Sequence, residues 1–326
     1  MPLDGGQSAS IFGGTPFADA TAVMNPMRPG WPARGRGVLL AAVLALPGLA
    51  ALAQGTDDAP SRALHARRAE LQAALRGSPF GEPIVLRTRQ GADSVEGDVW
   101  AEIAHPLLAV AAALRTPGAL CELMFLHLNV RGCTPQMGSQ GAALVLLVGP
   151  KRSGAFDSEY RMRYTMHTEV DDAEQLRVTL GAPTGPLSTR DYRIVFEAVA
   201  IDAQHSFVHL GYAYGYGALA KMTMSAYLAT AGRGKLGFST DGTEPDGTPR
   251  PVRGERAALE RNVMRYYLAL LAELAPAGGS GEQQLQAHLA DWFRRTERYA
   301  PQLHEYGLDD YLAEKREQLG KGRLVR

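Results

Sequence analysis

The residues of this sequence that could do chemistry are tyrosines that recur two positions apart along predicted strands between Tyr160 and Tyr216. Every second side chain of a strand points to the same face of its sheet, so the tyrosine hydroxyls would converge on one face. Apolar walls carrying a few hydroxyls are typical of a binding site for an amphipathic small molecule. The sheet residues predicted to contact such a ligand are Tyr160, Met162, Tyr164, Tyr192, Phe196, Tyr212 and Tyr214. The alternative is that the same side chains fill a core beneath a helix.

A second candidate group lies on the long helix predicted over residues 255–275. Arg261 and Arg265 are one turn apart and share a face, with Tyr266 next to Arg265. A guanidinium group is well shaped to hold a carboxylate or phosphate, so we expect the two arginines and Tyr266 to contact the ligand. The alternative is that these arginines form ion pairs with glutamates of neighbouring helices.

The opposite face of the predicted sheet is polar. It carries His167, His205 and His209, and Asp191 and Arg193, which we expect to form a surface ion pair. His205 and His209 would lie about 13 Å apart along one strand, which is too far for both to bind one metal ion. No metal site is therefore predicted on this face.

The sequence contains no complete catalytic motif. It has no Gly-x-Ser-x-Gly elbow, no His-Glu-x-x-His, no Walker loop and no Rossmann fingerprint, so no catalytic residue and no cofactor is expected. Lys and Arg number 34, and Asp and Glu also number 34, which gives a formal net charge of zero. Nucleic acid is not an expected partner, because binding phosphates needs an excess of clustered positive charge.

An apolar run over residues 38–53 follows Arg28, Arg34 and Arg36 and ends in Ala-Leu-Ala. These features predict a secretory signal that is cleaved after Ala53. A membrane span would need about 20 apolar residues, and Pro47 and Gly48 interrupt this run. Translation from Met24 or Met27 would give a leader of ordinary length. The expected location is the periplasm or the extracellular medium.

Export affects the interpretation of the two cysteines, Cys121 and Cys133. In an oxidising compartment an isolated pair most simply forms a disulfide, which would contribute about 3 kcal/mol in the chain-entropy model. The alternative is a metal site that also uses His127, although the spacing Cys-x5-His-x5-Cys matches no common zinc pattern.

The expected organisation has four parts. Residues 1–53 form the extension and signal, 54–82 a linker and a helix, 83–275 the main domain, and 276–326 a helical extension. In the main domain, strands over 84–88 and 95–103 precede two short helices, at 106–114 and 118–126, and six further strands. Segments expected to be irregular are the loops 135–141 and 241–254 and the frayed tail 320–326. Also expected are a helix over 218–229, a short strand over 235–240, and C-terminal helices over 282–298 and 309–319.

This element order resembles the START-like or polyketide-cyclase superfamily, whose fold is called the helix-grip fold. The resemblance rests on the order of elements over residues 95–275, on the junction of His105 and Pro106 after a strand, and on the Thr-Pro-Gly-Ala-Leu step at 116–120. It implies an α+β fold in which a curved antiparallel sheet wraps around a long C-terminal helix and encloses a pocket. Residues 217–254 and the last fifty or so residues depart from the pattern.

The resemblance also implies a function, because members of the superfamily bind lipids, sterols, hormones or polyketides and a minority are enzymes. We expect an exported protein that binds a hydrophobic or amphipathic, lipid-like molecule between the sheet and the long helix, with transient contact at a membrane surface. Two alternatives stay open. One is a cyclase or hydrolase that uses His127, Asp191 or a tyrosine as acid or base. The other is an interaction module without a pocket, using the C-terminal helices around Trp292, Phe293 and Tyr299 as a protein contact.

Overall fold

The computed structural model describes residues 59–139, 141–149, 159–218, 221–222, 234–279 and 281–325. All of them belong to the unit Gly55–Arg326. The predicted signal over residues 1–53 lies outside the described residues, as does most of the helix predicted over 218–229.

The centre of the fold is a curved sheet of eight antiparallel strands in the spatial order β1-β2-β8-β7-β6-β5-β4-β3. The strands are β1 (Ile84–Gln90), β2 (Ser94–Ile103), β3 (Val130–Gly138), β4 (Gly141–Val148), β5 (Tyr160–Asp171), β6 (Gln175–Thr184), β7 (Thr189–Ala200) and β8 (Ser206–Tyr216). Apolar and polar residues alternate along the long strands, so one face is buried and the other is largely polar. The four long strands predicted between Tyr160 and Tyr216 are confirmed.

The buried face of the sheet, here called the inner face, is covered by helices. Two short helices, α2 (Leu107–Leu114) and α3 (Pro117–Leu126), follow β2, and the long helix α4 (Gly254–Glu273) follows an inserted segment after β8. Leu259, Val263 and Leu270 of α4 are at most 2% exposed. They form the predicted helical stripe that packs against the sheet. The α+β helix-grip arrangement expected from the sequence is confirmed.

The opposite face, here called the outer face, receives one helix, α1 (Ala59–Arg76). Leu64, Leu71 and Leu75 recur on one side of α1 and are buried. They pack in a separate small core whose sheet residues are Val85, Trp100, Val199 and Phe207. Most of the rest of the outer face is polar. Among the described residues no single helix has the length and apolar composition of a membrane span, although α2 and α3, bent by 88°, reach them when taken together.

Three C-terminal helices, α5 (Gly281–Glu297), α6 (Ala300–Leu303) and α7 (Leu308–Gly320), complete the unit. The Tyr311 hydroxyl donates to the carbonyl of Leu126 at 2.7 Å. The ammonium of Lys315 donates to the carbonyls of Val130 at 2.7 Å and His127 at 3.1 Å. Burial lowers the pKa of Lys315 well below its usual value. Helix α7 is therefore fixed against the end of α3 and the start of β3.

The prediction of a frayed tail is wrong. The Cys133 N–H donates to the carbonyl of Arg323 at 2.8 Å, and the Val325 N–H donates to the carbonyl of Cys133 at 3.0 Å. The tail thus adds a parallel bridge to β3, which is an edge strand of the sheet. An edge strand has unpaired backbone groups that a passing segment can satisfy.

Two other irregular segments contain strands. β3 continues through Pro135 to Gly138, within the predicted loop 135–141, and it tolerates a proline because it lies at the edge of the sheet. The predicted loop 241–254 is exposed over residues 241–250 but holds most of a hairpin of β9 (Thr240–Thr243) and β10 (Pro249–Pro251). The strand predicted over 235–240 is wrong, since only residue 240 is in a strand.

One buried carboxylate explains how the inserted segment is attached. The Glu260 side chain is 0% exposed and accepts hydrogen bonds from the N–H groups of Phe238 and Ser239, at 2.6 and 2.9 Å, and from the Thr88 hydroxyl at 2.8 Å. A side chain at Gly237 would place its Cβ 2.5 Å from Glu260 Oε2. A glycine is therefore required there for the backbone to reach the carboxylate.

Candidate functional site

Strand alternation brings the predicted tyrosines together on the inner face. Tyr164 of β5, Tyr192 of β7, and Tyr212 and Tyr214 of β8 point towards α4, which contributes Tyr266. These five residues are here called the tyrosine cluster. Each is between 3% and 8% exposed. The sequence pattern thus predicted which tyrosines would share one side of the sheet.

The rings of the tyrosine cluster contact one another. Tyr192 stacks on Tyr214, with ring centroids 5.3 Å apart and an interplanar angle of 17°. Tyr164 meets Tyr192 edge to face at 6.4 Å, and Tyr212 lies 5.8 Å from Tyr266. Aromatic pairs of this kind contribute about 0.5–1.5 kcal/mol each beyond their burial. The cluster is therefore also a packed part of the core.

The hydroxyl groups of the cluster are less completely satisfied than the rings. The Tyr192 hydroxyl lies 2.8 Å from the Thr189 hydroxyl. Within the described residues, no hydrogen bond is formed by the hydroxyls of Tyr164, Tyr212, Tyr214 and Tyr266. Buried polar groups in folded proteins nearly always have a partner. The four hydroxyl oxygens are not among the fully buried unpaired polar atoms of the described residues, so a part of each remains accessible although the residues as a whole are buried.

Burial raises the pKa values of these hydroxyls, which are neutral at pH 7 even at the ordinary tyrosine pKa near 10. Burial raises the pKa of Tyr192 to about 12, against the opposing effect of its hydrogen bond to Thr189. Burial also raises the pKa of Tyr212 well above its usual value, and Tyr164, Tyr192 and Tyr266 add to that rise. At neutral pH every member therefore carries its proton and can donate a hydrogen bond.

The remaining predicted sheet residues lie around the cluster. Met162 and Phe196 are 3% and 1% exposed and belong to the same apolar core. Tyr160 is half-buried at the start of β5, with its hydroxyl 3.5 Å from that of Thr184. Met162 and Phe196 thus form apolar wall, and Tyr160 lies at the end of the sheet where β6 ends.

Arg261 and Arg265 are held by other parts of the chain. Arg261 donates to the carbonyl of Leu236 at 3.1 Å. Arg265 donates to the carbonyl of Leu303 at 3.1 Å and pairs with Glu305 at 2.9 Å. Both guanidinium groups thus contact segments that follow β8. The ion pair of Arg265 with Glu305 is of the kind expected if these arginines pair with glutamates rather than with a ligand. A ligand contact by these two residues stays a prediction.

The end of the site at β6 and β7 contains residues that sequence reasoning missed. Leu187 and Ser188 have φ of 57° and 61°, and Asp191 has φ of 54°. Asp191 lies at a register shift between Arg190 and Arg193, so β7 contains a bulge there. Because of the bulge, Thr189 and Tyr192 both point to the inner face. Asp tolerates this left-handed conformation better than most residues, which is the only local signal of the bulge.

The bulge also changes the expected ion pair on the outer face. Asp191 pairs with Arg190 at 2.6 Å, and Arg193 pairs with Glu96 at 3.5 Å. The predicted pair of Asp191 with Arg193 is therefore wrong, because the extra residue separates their side chains. The Asp191 side chain is 64% exposed on the outer face.

The two cysteines form the predicted disulfide. Cys121 of α3 and Cys133 of β3 are bonded, with Cα atoms 5.3 Å apart. His127, which the metal alternative required, instead stacks on Tyr266 at 4.7 Å, and its Nδ1 accepts from the Asn129 N–H at 3.1 Å. Within the part of the chain that the structure describes, no group of three or more His, Cys, Asp or Glu side chains is arranged to hold a metal ion.

The outer face has its own cluster, here called the charged cluster, which consists of Asp98, His209, Glu197 and Arg177. His209 lies between two carboxylates, with Nδ1 2.5 Å from Glu197 and Nε2 2.8 Å from Asp98. Arg177 pairs with Glu197 and, at 2.6 Å, with Glu169. Trp100 stacks on the His209 ring at 4.9 Å. These residues border a depression of about 110 Å³ above Gly211.

Comparison with known proteins gives a limited result. No family model matches the chain, and no curated protein matches it. Among solved structures, norcoclaurine synthase from Thalictrum flavum is 15% identical over 59% of this chain and 91% of that chain, with a TM-score of 0.29. It has also been solved with dopamine and hydroxybenzaldehyde. A conserved protein of unknown function from Enterococcus faecalis is 8% identical over 77% of this chain and 95% of that chain, with a TM-score of 0.28. Similarities at this level carry no argument about family or activity.

Proposed function

We propose that the protein binds an uncharged, amphipathic small molecule between the inner face of the sheet and α4. The observation that carries this proposal is the set of four tyrosine hydroxyls without a hydrogen-bond partner among the described residues. A ligand that accepts hydrogen bonds from these phenols would gain about 0.5–1.5 kcal/mol for each bond formed.

The chemistry of the site supports an uncharged ligand. The phenols of the cluster are neutral at neutral pH, as an ordinary tyrosine is, and burial raises the pKa values of Tyr164 and Tyr212 further. Arg261 and Arg265, the cations that sequence reasoning assigned to an anionic head group, bond to Leu236, Leu303 and Glu305. Apolar contact with Met162, Phe196 and the aromatic rings would supply affinity at about 25 cal/mol per Å² of buried surface.

The test is titration of the purified protein with N-phenyl-1-naphthylamine, an uncharged apolar probe whose fluorescence rises in apolar surroundings. We expect saturable binding of this probe, and we expect binding of 2-methoxynaphthalene, whose oxygen can accept from a phenol, to weaken in Tyr212→Phe. The matched control is Tyr299→Phe, because the Tyr299 hydroxyl contacts the carbonyl of Phe80, away from the cluster. Absence of binding to the unmodified protein would overturn the proposal and favour an interaction module with a filled core.

Two finer points belong to the same proposal. The order of elements supports a distant relationship to the START-like superfamily. The leader over residues 1–53 and the disulfide between Cys121 and Cys133 support export, with cleavage after Ala53. Exchange of an apolar ligand would then involve transient contact with a membrane surface. Intact mass measurement of protein isolated from its native host tests export, since a species retaining residues 1–53 would contradict it.

A further inference from the structure

The hydrogen bonds of Thr189 determine which way the Tyr192 hydroxyl points. Thr189 Oγ1 lies 2.5 Å from the carbonyl oxygen of Pro186 and 2.8 Å from Tyr192 Oη. A threonine hydroxyl has one proton, and a carbonyl oxygen can only accept. The Thr189 proton is therefore donated to Pro186, and Thr189 must accept the proton of Tyr192.

This assignment distinguishes Tyr192 from the rest of the tyrosine cluster. Its pKa of about 12 means that the hydroxyl proton is present at neutral pH, and that proton is already used by Thr189. What Tyr192 can offer a ligand is the lone pairs of its oxygen. The hydroxyls of Tyr164, Tyr212, Tyr214 and Tyr266 keep their protons available, since none forms a hydrogen bond within the described residues. The site therefore presents four hydroxyls that can donate or accept and one, that of Tyr192, that can only accept.

The backbone holds this arrangement in place. Leu187 and Ser188 have positive φ in the turn between β6 and β7, and the Gly185 N–H donates to the carbonyl of Thr189 at 2.9 Å. The Tyr192 ring lies so close to Gly185 that an added Cβ would be 2.2 Å from it. Thr189 is 2% exposed. Neither hydroxyl can turn away without moving a packed turn.

We propose that Thr189 is a specificity-determining residue, which acts through Tyr192 by making it a hydrogen-bond acceptor. The preferred ligand is then an uncharged apolar molecule that carries a hydroxyl, as an alcohol or a phenol does, and donates it to Tyr192. This inference rests on the proposed function and narrows its ligand class. Thr189 acts without touching the ligand.

The test compares 2-naphthol with 2-methoxynaphthalene, which differ in whether the oxygen carries a proton. Each is titrated by fluorescence into the full chain at pH 7. One hydrogen bond has a net worth of about 0.5–1.5 kcal/mol, so we expect 2-naphthol to bind about two- to tenfold tighter. Thr189→Val removes the acceptor of the Tyr192 proton, so Tyr192 can donate to the ether and the ratio falls to about one. Thr189→Ser keeps the hydroxyl and restores the preference.

The possible results separate the two proposals. Equal affinity of the unmodified protein for both probes, or an unchanged preference in Thr189→Val, overturns the role of Thr189 while leaving ligand binding in place. Binding of neither probe overturns the proposed function as well. If Thr189→Val does not fold, Tyr192→Phe provides the same comparison, because it removes the acceptor itself and is expected to abolish the preference.

Discussion

The polar groups on the two faces of the sheet differ in whether they have hydrogen-bond partners. On the outer face, charged side chains satisfy one another, and both ring nitrogens of His209 face a carboxylate, from Asp98 and Glu197. On the inner face, neutral phenols pack tightly ring against ring, yet four hydroxyls have no partner among the described residues. Polar groups that satisfy each other do not need a ligand. The comparison therefore supports the proposal that a ligand binds at the inner face.

Sheet register explains how the charged cluster on the outer face is paired. Trp100, His209, Glu197 and Arg177 lie opposite one another in one row across four neighbouring strands. A parallel row places Glu96 and Arg193 on either side of Ala213, and their side chains meet at 3.5 Å. Opposite charges on neighbouring strands stabilise a sheet directly. The depression above Gly211 lies between these two rows.

The largest expected effect that separates the faces is alkaline unfolding, because tyrosines are concentrated on the inner face. An unfolded tyrosine titrates near pH 10, whereas the pKa of Tyr192 is raised to about 12. The folded state then binds more protons than the unfolded state, so the free energy of unfolding falls as pH rises through this window. Tyr192 alone contributes a loss of about 3 kcal/mol.

The measurement for this prediction is urea unfolding at several pH values from 8 to 12. Tyr212→Phe should make the decline shallower by about 1.4 kcal/mol per pH unit above pH 10, because one titrating group with a raised pKa is removed. His209→Ala, on the outer face, serves as the control and should leave the slope unchanged above pH 10. An equal slope for Tyr212→Phe and the unmodified protein would contradict the buried, neutral state of Tyr212.

The second prediction concerns the charged cluster. His209→Ala leaves Asp98 and Glu197, each about 15% exposed or less, without the donor between them. We expect it to reduce the free energy of unfolding by about 2 kcal/mol at pH 7. Tyr212→Phe should change it by less than about 0.5 kcal/mol, because no hydrogen bond is lost. Urea unfolding of both variants checks the contrast. A larger loss of unfolding free energy in Tyr212→Phe than in His209→Ala would contradict the view that the polar groups of the outer face satisfy one another while the Tyr212 hydroxyl has no partner among the described residues.

The sequence allowed the faces to be predicted because each element keeps one period over many residues. A period of two fixed the sides of Tyr164, Tyr192 and Tyr212, and a helical stripe on 255–275 fixed the covering helix. These patterns depend on neighbours in the chain. Proline signals likewise predicted α2 and α3 within one residue at each end.

What could not be predicted depends on contacts between distant segments. The orientation of Arg265 follows from the docking of Glu305 forty positions later. The order of the tail follows from its pairing with Cys133. The bulge at Asp191, which turns Thr189 towards Tyr192, inserts one residue without any change in the alternation of the residues that follow. None of these contacts leaves a periodic signal in the sequence.

The third prediction tests how tightly the inner face fixes Tyr192. Gly185→Ala would place a Cβ 2.2 Å from the Tyr192 ring, and overpacking of this kind costs about 1–3 kcal/mol. We expect a cost of about 1.5 kcal/mol and weaker binding of 2-naphthol. Gly181→Ala, in the adjoining strand β6, is the matched control, since its nearest contact would be 3.9 Å. Equal behaviour of the two variants in thermal unfolding and binding would refute the packing argument.

The smallest expected effect is on the outer depression. Gly211→Ala adds a methyl group to its floor, 3.2 Å from Asp98 Oδ1, where a small shift of the side chain relieves the contact. Because the ligand is expected on the inner face, the affinity of the Gly211→Ala variant for N-phenyl-1-naphthylamine should differ from that of the unmodified protein by less than about twofold, or 0.4 kcal/mol. A tenfold loss of affinity in the fluorescence titration would indicate that the probe binds on the outer face and would contradict a site on the inner face.

The most direct measurement is an NMR titration of protein labelled with ¹³C in its tyrosine, tryptophan and histidine rings, using 2-naphthol as the ligand. We expect the ring signals of Tyr164, Tyr192, Tyr212, Tyr214 and Tyr266 to shift on saturation, while those of Trp100 and His209 stay in place. Shifts confined to Trp100 and His209, or no shift in any of these signals, would contradict a binding site on the inner face.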